Sequence, residues 1–213
     1  MTRLVMNIQH RVKSAVKPLL FDDVASPQRV KAGPGRGVVA LLNRRHDLQR
    51  EFGLYEMELS RAYSKHVRPG VCAFDVGAAD GLTSLIYARL GATVIAFEPE
   101  PTAVTSFVRN LELNPSLAAR ITLVQDYYRP DNYPEPEFVK IDVDGAERDV
   151  LRLIPGHPRC VIVETHSEYL ESECNDLLLA RGYTVDIIRN ARWRRFYPEY
   201  RPIGFNRWLI ALA

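Results

Sequence analysis

From residue 71 onward, apolar runs of four to six residues alternate with longer stretches in which apolar positions recur every three or four. Val71–Val76, Thr93–Phe97, Ile121–Val124, Phe138–Val143 and Cys160–Val163 read as strands. Leu82–Leu90, Pro101–Leu113, Ala146–Leu153 and Glu168–Arg181 carry the helical period between them. Short apolar strands alternating with amphipathic helices predict βαβ units and a parallel sheet covered on both faces. The end of the chain breaks the rhythm, because Thr184–Ile188 and Arg207–Leu212 are strands with no helical pattern between them. Strands joined without a crossover helix pair antiparallel. The expected fold class is therefore α/β and Rossmann-like: a seven-stranded, mostly parallel sheet with an antiparallel last strand and helices on both faces.

The front of the chain follows another pattern. In residues 1–21, Leu4, Val5, Ile8, Val12 and Val16 recur at helical spacing while Arg3, Arg11, Lys13 and Lys17 supply charge. This predicts a basic amphipathic helix, which either packs on the core or makes peripheral contact with a membrane surface. Residues 25–37, rich in Gly, Pro and basic residues, read as a mobile connector, and helical patterns resume at 38–50 and 54–67. Charge divides the chain in the same place. Residues 1–50 hold ten Lys or Arg against three Asp or Glu, whereas residues 51–213 hold eighteen against twenty-three. The expected organisation is a basic helical N-terminal extension, 1–50, followed by one domain, 51–213.

Two classes fall away. No apolar run approaches the roughly 20 residues that span a bilayer. The three cysteines, Cys72, Cys160 and Cys174, make neither a disulfide framework nor a C-x-x-C metal site, and buried free thiols fit a reducing cytoplasm.

Candidate chemistry begins where the first core strand turns into its helix, Phe74-Asp75-Val76-Gly77-Ala78-Ala79-Asp80-Gly81. In an open α/β sheet this turn lies at the carboxyl end, where ligands bind. Small residues at Gly77, Ala79 and Gly81 let a ligand approach the backbone. The second strand ends in Glu98-Pro99, and an acid at that tip suits a ribose diol. The G-x-A-x-G spacing with an upstream Asp differs from the nicotinamide fingerprint G-x-G-x-x-G.

This arrangement resembles the class I S-adenosyl-L-methionine (SAM) dependent methyltransferases. More narrowly, the segments Gly53–Glu56, Phe74–Gly81, Ala96–Pro99, Phe107–Asn114, Phe138–Glu147 (FVKIDVDGAE) and Val163–His166 resemble the FkbM family. The resemblance implies SAM as cofactor. Asp75 and the Gly77, Ala79 and Gly81 backbone would hold its methionine end, and Glu98, followed by Pro99, its ribose. Asp126 would meet the adenine amino group, and Tyr55 would close over the amino-acid moiety. Ala79 stands where the family usually carries Asn, and the segment 125–137 is shorter than usual.

At the tips of the fourth and fifth core strands stand Asp142, Asp144 and Glu164-Thr165-His166. Methyl transfer is a direct displacement in which a hydroxyl acceptor benefits from a general base. His166 is the candidate base, with Asp142 and Asp144 as carboxylates beside it. These groups also suit magnesium, but nothing in their spacing demands it, and no metal is expected. Ile141–Asp144 replaces the N-P-P-Y-like tetrapeptide common in nucleobase amine methyltransferases, which points to a hydroxyl or carboxyl acceptor.

The stretch 189–208 interleaves Arg189, Arg192, Arg194, Arg195, Arg201 and Arg207 with Trp193, Phe196, Tyr197, Tyr200, Phe205 and Trp208. Such a loop suits sugar or base faces and anionic groups. Three functions remain open: O-methylation of a sugar, glycan or glycosylated small molecule, ribose methylation of RNA, and a non-catalytic SAM-binding or partner-binding protein.

Overall fold

The computed structural model describes residues 21–190, 205 and 207–213. The basic helix expected in 1–21 and most of the basic aromatic loop lie outside the described residues.

Among the described residues seventeen elements follow one another, the first two being a hairpin of β1 (Ala25–Arg29) and β2 (Val39–Asn43). A short helix α1 (Leu48–Glu51), a 3-10 turn (Met57–Leu59) and α2 (Ser60–His66) lead to β3 (Cys72–Val76). Then come α3 (Leu82–Arg89), β4 (Thr93–Phe97), α4 (Pro101–Glu112), α5 (Pro115–Ala118), β5 (Ile121–Val124) and β6 (Phe138–Ile141). The chain closes with α6 (Glu147–Leu153), β7 (Cys160–Thr165), α7 (Glu168–Ala180), β8 (Thr184–Ile188) and β9 (Arg207–Leu212).

The main sheet has seven strands in the order β5-β4-β3-β6-β7-β9-β8. Strand β9 enters between β7 and β8 and runs antiparallel to both, while the other pairings are parallel. The strands read as continuous apolar runs because both faces are covered. Ala73, Val94, Ala96, Phe138 and Ile162 pack on one face with Tyr63 and Tyr87. Phe74, Ile95, Phe97, Val139 and Ile141 pack on the other with Leu151 and Leu178. Asp75 and Lys140 are register partners, and their sequence parity puts both on the Ala73–Phe138 face. A charged row thus runs through that face near the carboxyl ends.

One expectation is corrected. Residues 25–43 are neither a connector nor the start of a helix but an antiparallel hairpin. The run Val38–Leu42 is apolar throughout, so its period cannot separate strand from helix. What decides is distant in sequence. Ala40 and Leu42 pack on Leu82 and Leu85 of α3. On the outer edge of β2, the Asn114 side-chain amide accepts from Val39 N and donates to Val39 O, at 3.0 and 2.6 Å. Asn110 accepts from Leu41 N at 2.8 Å. Two asparagines, one in the last turn of α4 and one at the N-cap of α5, thus do the work of a neighbouring strand. Cys72, Cys160 and Cys174 are free thiols, the last two buried. No helix among the described residues is long and apolar enough to cross a membrane.

Candidate active site

The turn after β3 is shaped by the protein itself. Gly77 has φ +84°, and a Cβ there would lie 1.8 Å from the Asp142 carbonyl oxygen. A Cβ on Gly81 would lie 2.1 Å from the Phe107 ring. Both glycines are therefore required by packing, before any ligand is considered. Ala79 is exposed at φ +50°, a left-handed conformation that Asn accepts more readily than Ala.

Glu98 buttresses this turn from the tip of β4. Its Oε2 accepts from Ala79 N at 2.8 Å and its Oε1 from Glu100 N at 2.9 Å. Each carboxylate oxygen keeps a second lone pair. Pro99 is half-buried beside it. Beneath the turn, Asp75 is fully enclosed: Oδ2 accepts from Ser84 Oγ at 2.6 Å, and Oδ1 has no hydrogen-bond partner. Burial pushes the Asp75 carboxyl up to about 6, against the opposing pull of Lys140 and Ser84.

Tyr55 is half-buried and lines a shallow pocket with Arg50, Glu56, Tyr63, Leu82 and Thr83. The Arg50 guanidinium lies 5.7 Å from the Tyr55 ring centroid and donates to both oxygens of Asp80, at 2.5 and 2.7 Å. The front segment is thereby pinned to the turn after β3. Asp126 is different. Its carboxylate is half exposed, accepts from Tyr127 N and lies 3.5 Å from Arg129, so its polar contacts are local.

The second half of the site lies where β6 and β7 end. Lys140, 3% exposed, is ringed by Asp142 Oδ2 at 2.8 Å, Glu56 Oε1 at 3.5 Å and Glu164 Oε2 at 3.9 Å. Burial would lower its pKa, but the three carboxylates outweigh that and hold the ammonium charged. Tyr63 donates to Glu56 at 3.1 Å and Trp208 Nε1 donates to Glu164 at 2.9 Å. Glu56 itself has φ +46°, so a strained backbone delivers this acid to the lysine.

His166 follows β7 immediately and precedes Ser167, whose hydroxyl caps α7 by accepting from Leu170 N. Its side chain is 8% exposed. Nδ1 is hydrogen-bonded to Glu147 Oε1, which is fully buried at the start of α6. Nε2 lies 3.2 Å from Asp144 Oδ1 and 3.8 Å from Asp142 Oδ1. Burial would lower the His166 pKa, but the Glu147 hydrogen bond and the charges of Asp142, Glu147 and Glu164 raise it. Asp142 is held low, because Lys140 and His166 outweigh its burial.

The structure therefore joins Asp142, Asp144 and His166 as the sequence implied, and gathers Asp75 and Glu98 around the turn that holds Gly77, Ala79 and Gly81. It leaves Asp126 outside that contact network. It also adds Glu56, Lys140 and Glu147, which sequence reasoning had not singled out. All three lie in segments already noted, Gly53–Glu56 and Phe138–Glu147, yet no local pattern says that they meet. Arg207 and Trp208, grouped above with the basic loop, serve the fold: Arg207 pairs with Glu171 at 2.9 Å and Trp208 is fully buried.

A parallel sheet with an antiparallel strand inserted beside the last one, and a ligand turn after β3, define the class I methyltransferase fold. No protein-family model matches the chain. Among curated proteins, the chain is 32% identical over 135 residues to "Ribosomal protein L11 methyltransferase" of Geobacillus kaustophilus (strain HTA426), covering 60% of this chain and 42% of that protein. The chain thus spans less than half that relative's length. Among solved structures, precorrin-6y C5,15-methyltransferase of Geobacter metallireducens GS-15 superposes with a TM-score of 0.53 at 18% identity, over 73% of this chain and 87% of that one. Fibrillarin of Aeropyrum pernix, crystallised with natively bound SAM, gives 0.53 at 14% identity, over 69% and 68%.

Proposed function

We propose that the protein is a SAM-dependent O-methyltransferase of the FkbM type, acting on a hydroxyl of a sugar, glycan or glycosylated metabolite. The observation that carries this reading is the pairing of two half-sites at the carboxyl edge of the sheet. One is a backbone turn tied to Glu98. The other is a wall of six carboxylates, Glu56, Asp75, Asp142, Asp144, Glu147 and Glu164, around Lys140 and His166. SAM carries a positive sulfonium and a positive ammonium, which such an acid-rich wall stabilises.

Glu98 takes the ribose hydroxyls on its remaining lone pairs, and Asp75 with the Gly77–Gly81 backbone underlies the methionine end. Tyr55 covers the amino-acid moiety, and Asp126 meets the adenine from the side. In the transfer, the acceptor oxygen forms a bond to the methyl carbon while the carbon–sulfur bond breaks. The bonding pair goes to sulfur, leaving a neutral thioether, and the hydroxyl proton is lost at the Asp142–Asp144–His166 group. The excess of basic residues in 1–50 and in 189–208 suits an anionic acceptor or surface.

Calorimetry with SAM tests the cofactor half. Wild type binds, and Glu98→Gln weakens binding roughly 10- to 100-fold, the range for losing a charge-assisted hydrogen bond. Absence of binding to the wild type sinks the reading. A second acceptor class, a ribosomal protein, is favoured by the 32% identity to the L11 methyltransferase. Label transfer from methyl-labelled SAM to L11 rather than to glycans would decide for it.

A further inference from the structure

We infer that Asp142, Asp144 and His166 bind one divalent cation of the Mg2+ or Mn2+ class at the joint exit of β6 and β7. The role given to that cation rests on the methyl-transfer reading above; its binding does not.

The first argument is geometric. One ligand atom from each residue can be chosen so that all three lie within 4.8 Å of one another. An octahedral cation with bonds of about 2.1 Å sets neighbouring ligand atoms about 3 Å apart and opposite ones about 4.2 Å apart. The separations from His166 Nε2, 3.2 Å to Asp144 and 3.8 Å to Asp142, fall within that window.

The second argument is that each ligand atom is presented by a partner outside the set. Lys140 occupies Asp142 Oδ2 at 2.8 Å and so leaves Oδ1 facing His166. Glu147 engages His166 Nδ1, which assigns the proton there and turns the Nε2 lone pair toward the two aspartates.

The third observation concerns Nε2 itself. It belongs to a side chain 8% exposed and faces three carboxylate oxygens, Asp144 Oδ1 at 3.2 Å, Asp142 Oδ1 at 3.8 Å and Glu164 Oε1 at 3.9 Å. A neutral lone pair facing three anions is repulsive; a proton on Nε2 relieves this in the metal-free chain, and a cation among the oxygens relieves it in the proton's place. The adjoining group Glu56, Asp142 and Glu164 has similar spacing, but there the Lys140 ammonium already fills the centre. The two clusters share Asp142 and divide the work: a fixed ammonium on one side and an exchangeable cation on the other.

Two carboxylates and one imidazole leave three positions for water or an acceptor oxygen. Hard oxygen donors suit Mg2+ and Mn2+, and the imidazole shifts preference toward Mn2+. An acceptor hydroxyl on an open position is oriented toward the cofactor turn and ionises more easily than in water. With the cation in place these three side chains no longer take the hydroxyl proton directly, and it leaves to solvent.

The test is a Mn2+ titration of the untagged full chain followed by electron paramagnetic resonance, which reports free Mn2+. Wild type should remove about one equivalent from solution. Asp144→Asn, at a side chain 73% exposed, should fold normally and bind Mn2+ at least tenfold more weakly. Asp149→Asn, on the exposed face of α6, should bind as wild type does. The inference is overturned if wild type leaves the Mn2+ signal unchanged, or if Asp144→Asn binds equally well; a proton on Nε2 then occupies the place assigned to the cation. SAM calorimetry in EDTA separates the two proposals. Cofactor binding without Mn2+ binding removes the metal site alone, and Mn2+ binding without cofactor binding removes the methyltransferase reading alone.

Discussion

The two halves of the site are built by opposite means. On the proposed cofactor side, the turn 77–81 is held by backbone contacts, with the amides of residues 77–79 tied to the tip of β4 and two glycines packed against Asp142 and Phe107. On the proposed acceptor side, side-chain charge does the holding: Lys140 and His166 sit among carboxylates drawn from three separate segments. A backbone-built half-site tolerates changes of charge and fails on changes of volume. A charge-built half-site behaves the other way round. Gly77 is the seam, since its missing Cβ is what lets the turn lie on the Asp142 carbonyl.

That contrast can be broken experimentally, most severely at the seam. Gly77→Ala places a methyl 1.8 Å from a carbonyl at positive φ and should cost at least about 4 kcal/mol in denaturant unfolding. A cost under about 1 kcal/mol would mean that the turn is not rigidly seated. Next, Lys140→Met leaves buried acids unpaired and should destabilise by about 3–5 kcal/mol at neutral pH. A neutral outcome would show that the acceptor side is not held by charge.

A smaller effect distinguishes Asp75. Its carboxyl titrates near 6 in the folded chain, above the ordinary 3.8, so the native state keeps this proton to higher pH than the unfolded chain does. Its contribution is therefore most favourable below about pH 4, declines as pH rises toward 6 and is constant above. Subtracting the pH profile of Asp75→Asn from that of wild type should expose a decline of about 2–3 kcal/mol over that window. A flat difference would refute the burial argument. Smallest, Asn114→Ala should loosen the hairpin by about 1–2 kcal/mol, seen as faster amide exchange at Val39 without change in the main sheet. Exchange spreading into β3 would show that hairpin and sheet open together.

What was legible follows the range of the forces involved. Apart from the single turn α5, the strands and helices from β3 to β9 could be read because burial on two faces and helical period act within a few residues. The antiparallel β9 was readable from the missing crossover helix. The hairpin was not, because Val38–Leu42 carries no period and its edge is satisfied by Asn110 and Asn114, some 70 residues away. In the site, Asp75, Gly77 and Glu98 announce themselves by position at strand ends. Glu56 and Glu147 do not, since their role exists only once separate elements bring them to Lys140 and His166. The glycines were assigned to ligand approach, whereas the structure shows a prior demand from packing.

Trp208 gives the molecule a built-in optical probe. The chain has two tryptophans, and this one is fully buried with its indole N–H on Glu164, one of the acids around Lys140. Indole emission responds to the field of nearby charges, so a cation or sulfonium entering the acid-rich wall should shift it. With Trp193→Phe removing the other emitter, fluorescence becomes a direct reading of site occupancy, without label, acceptor or turnover.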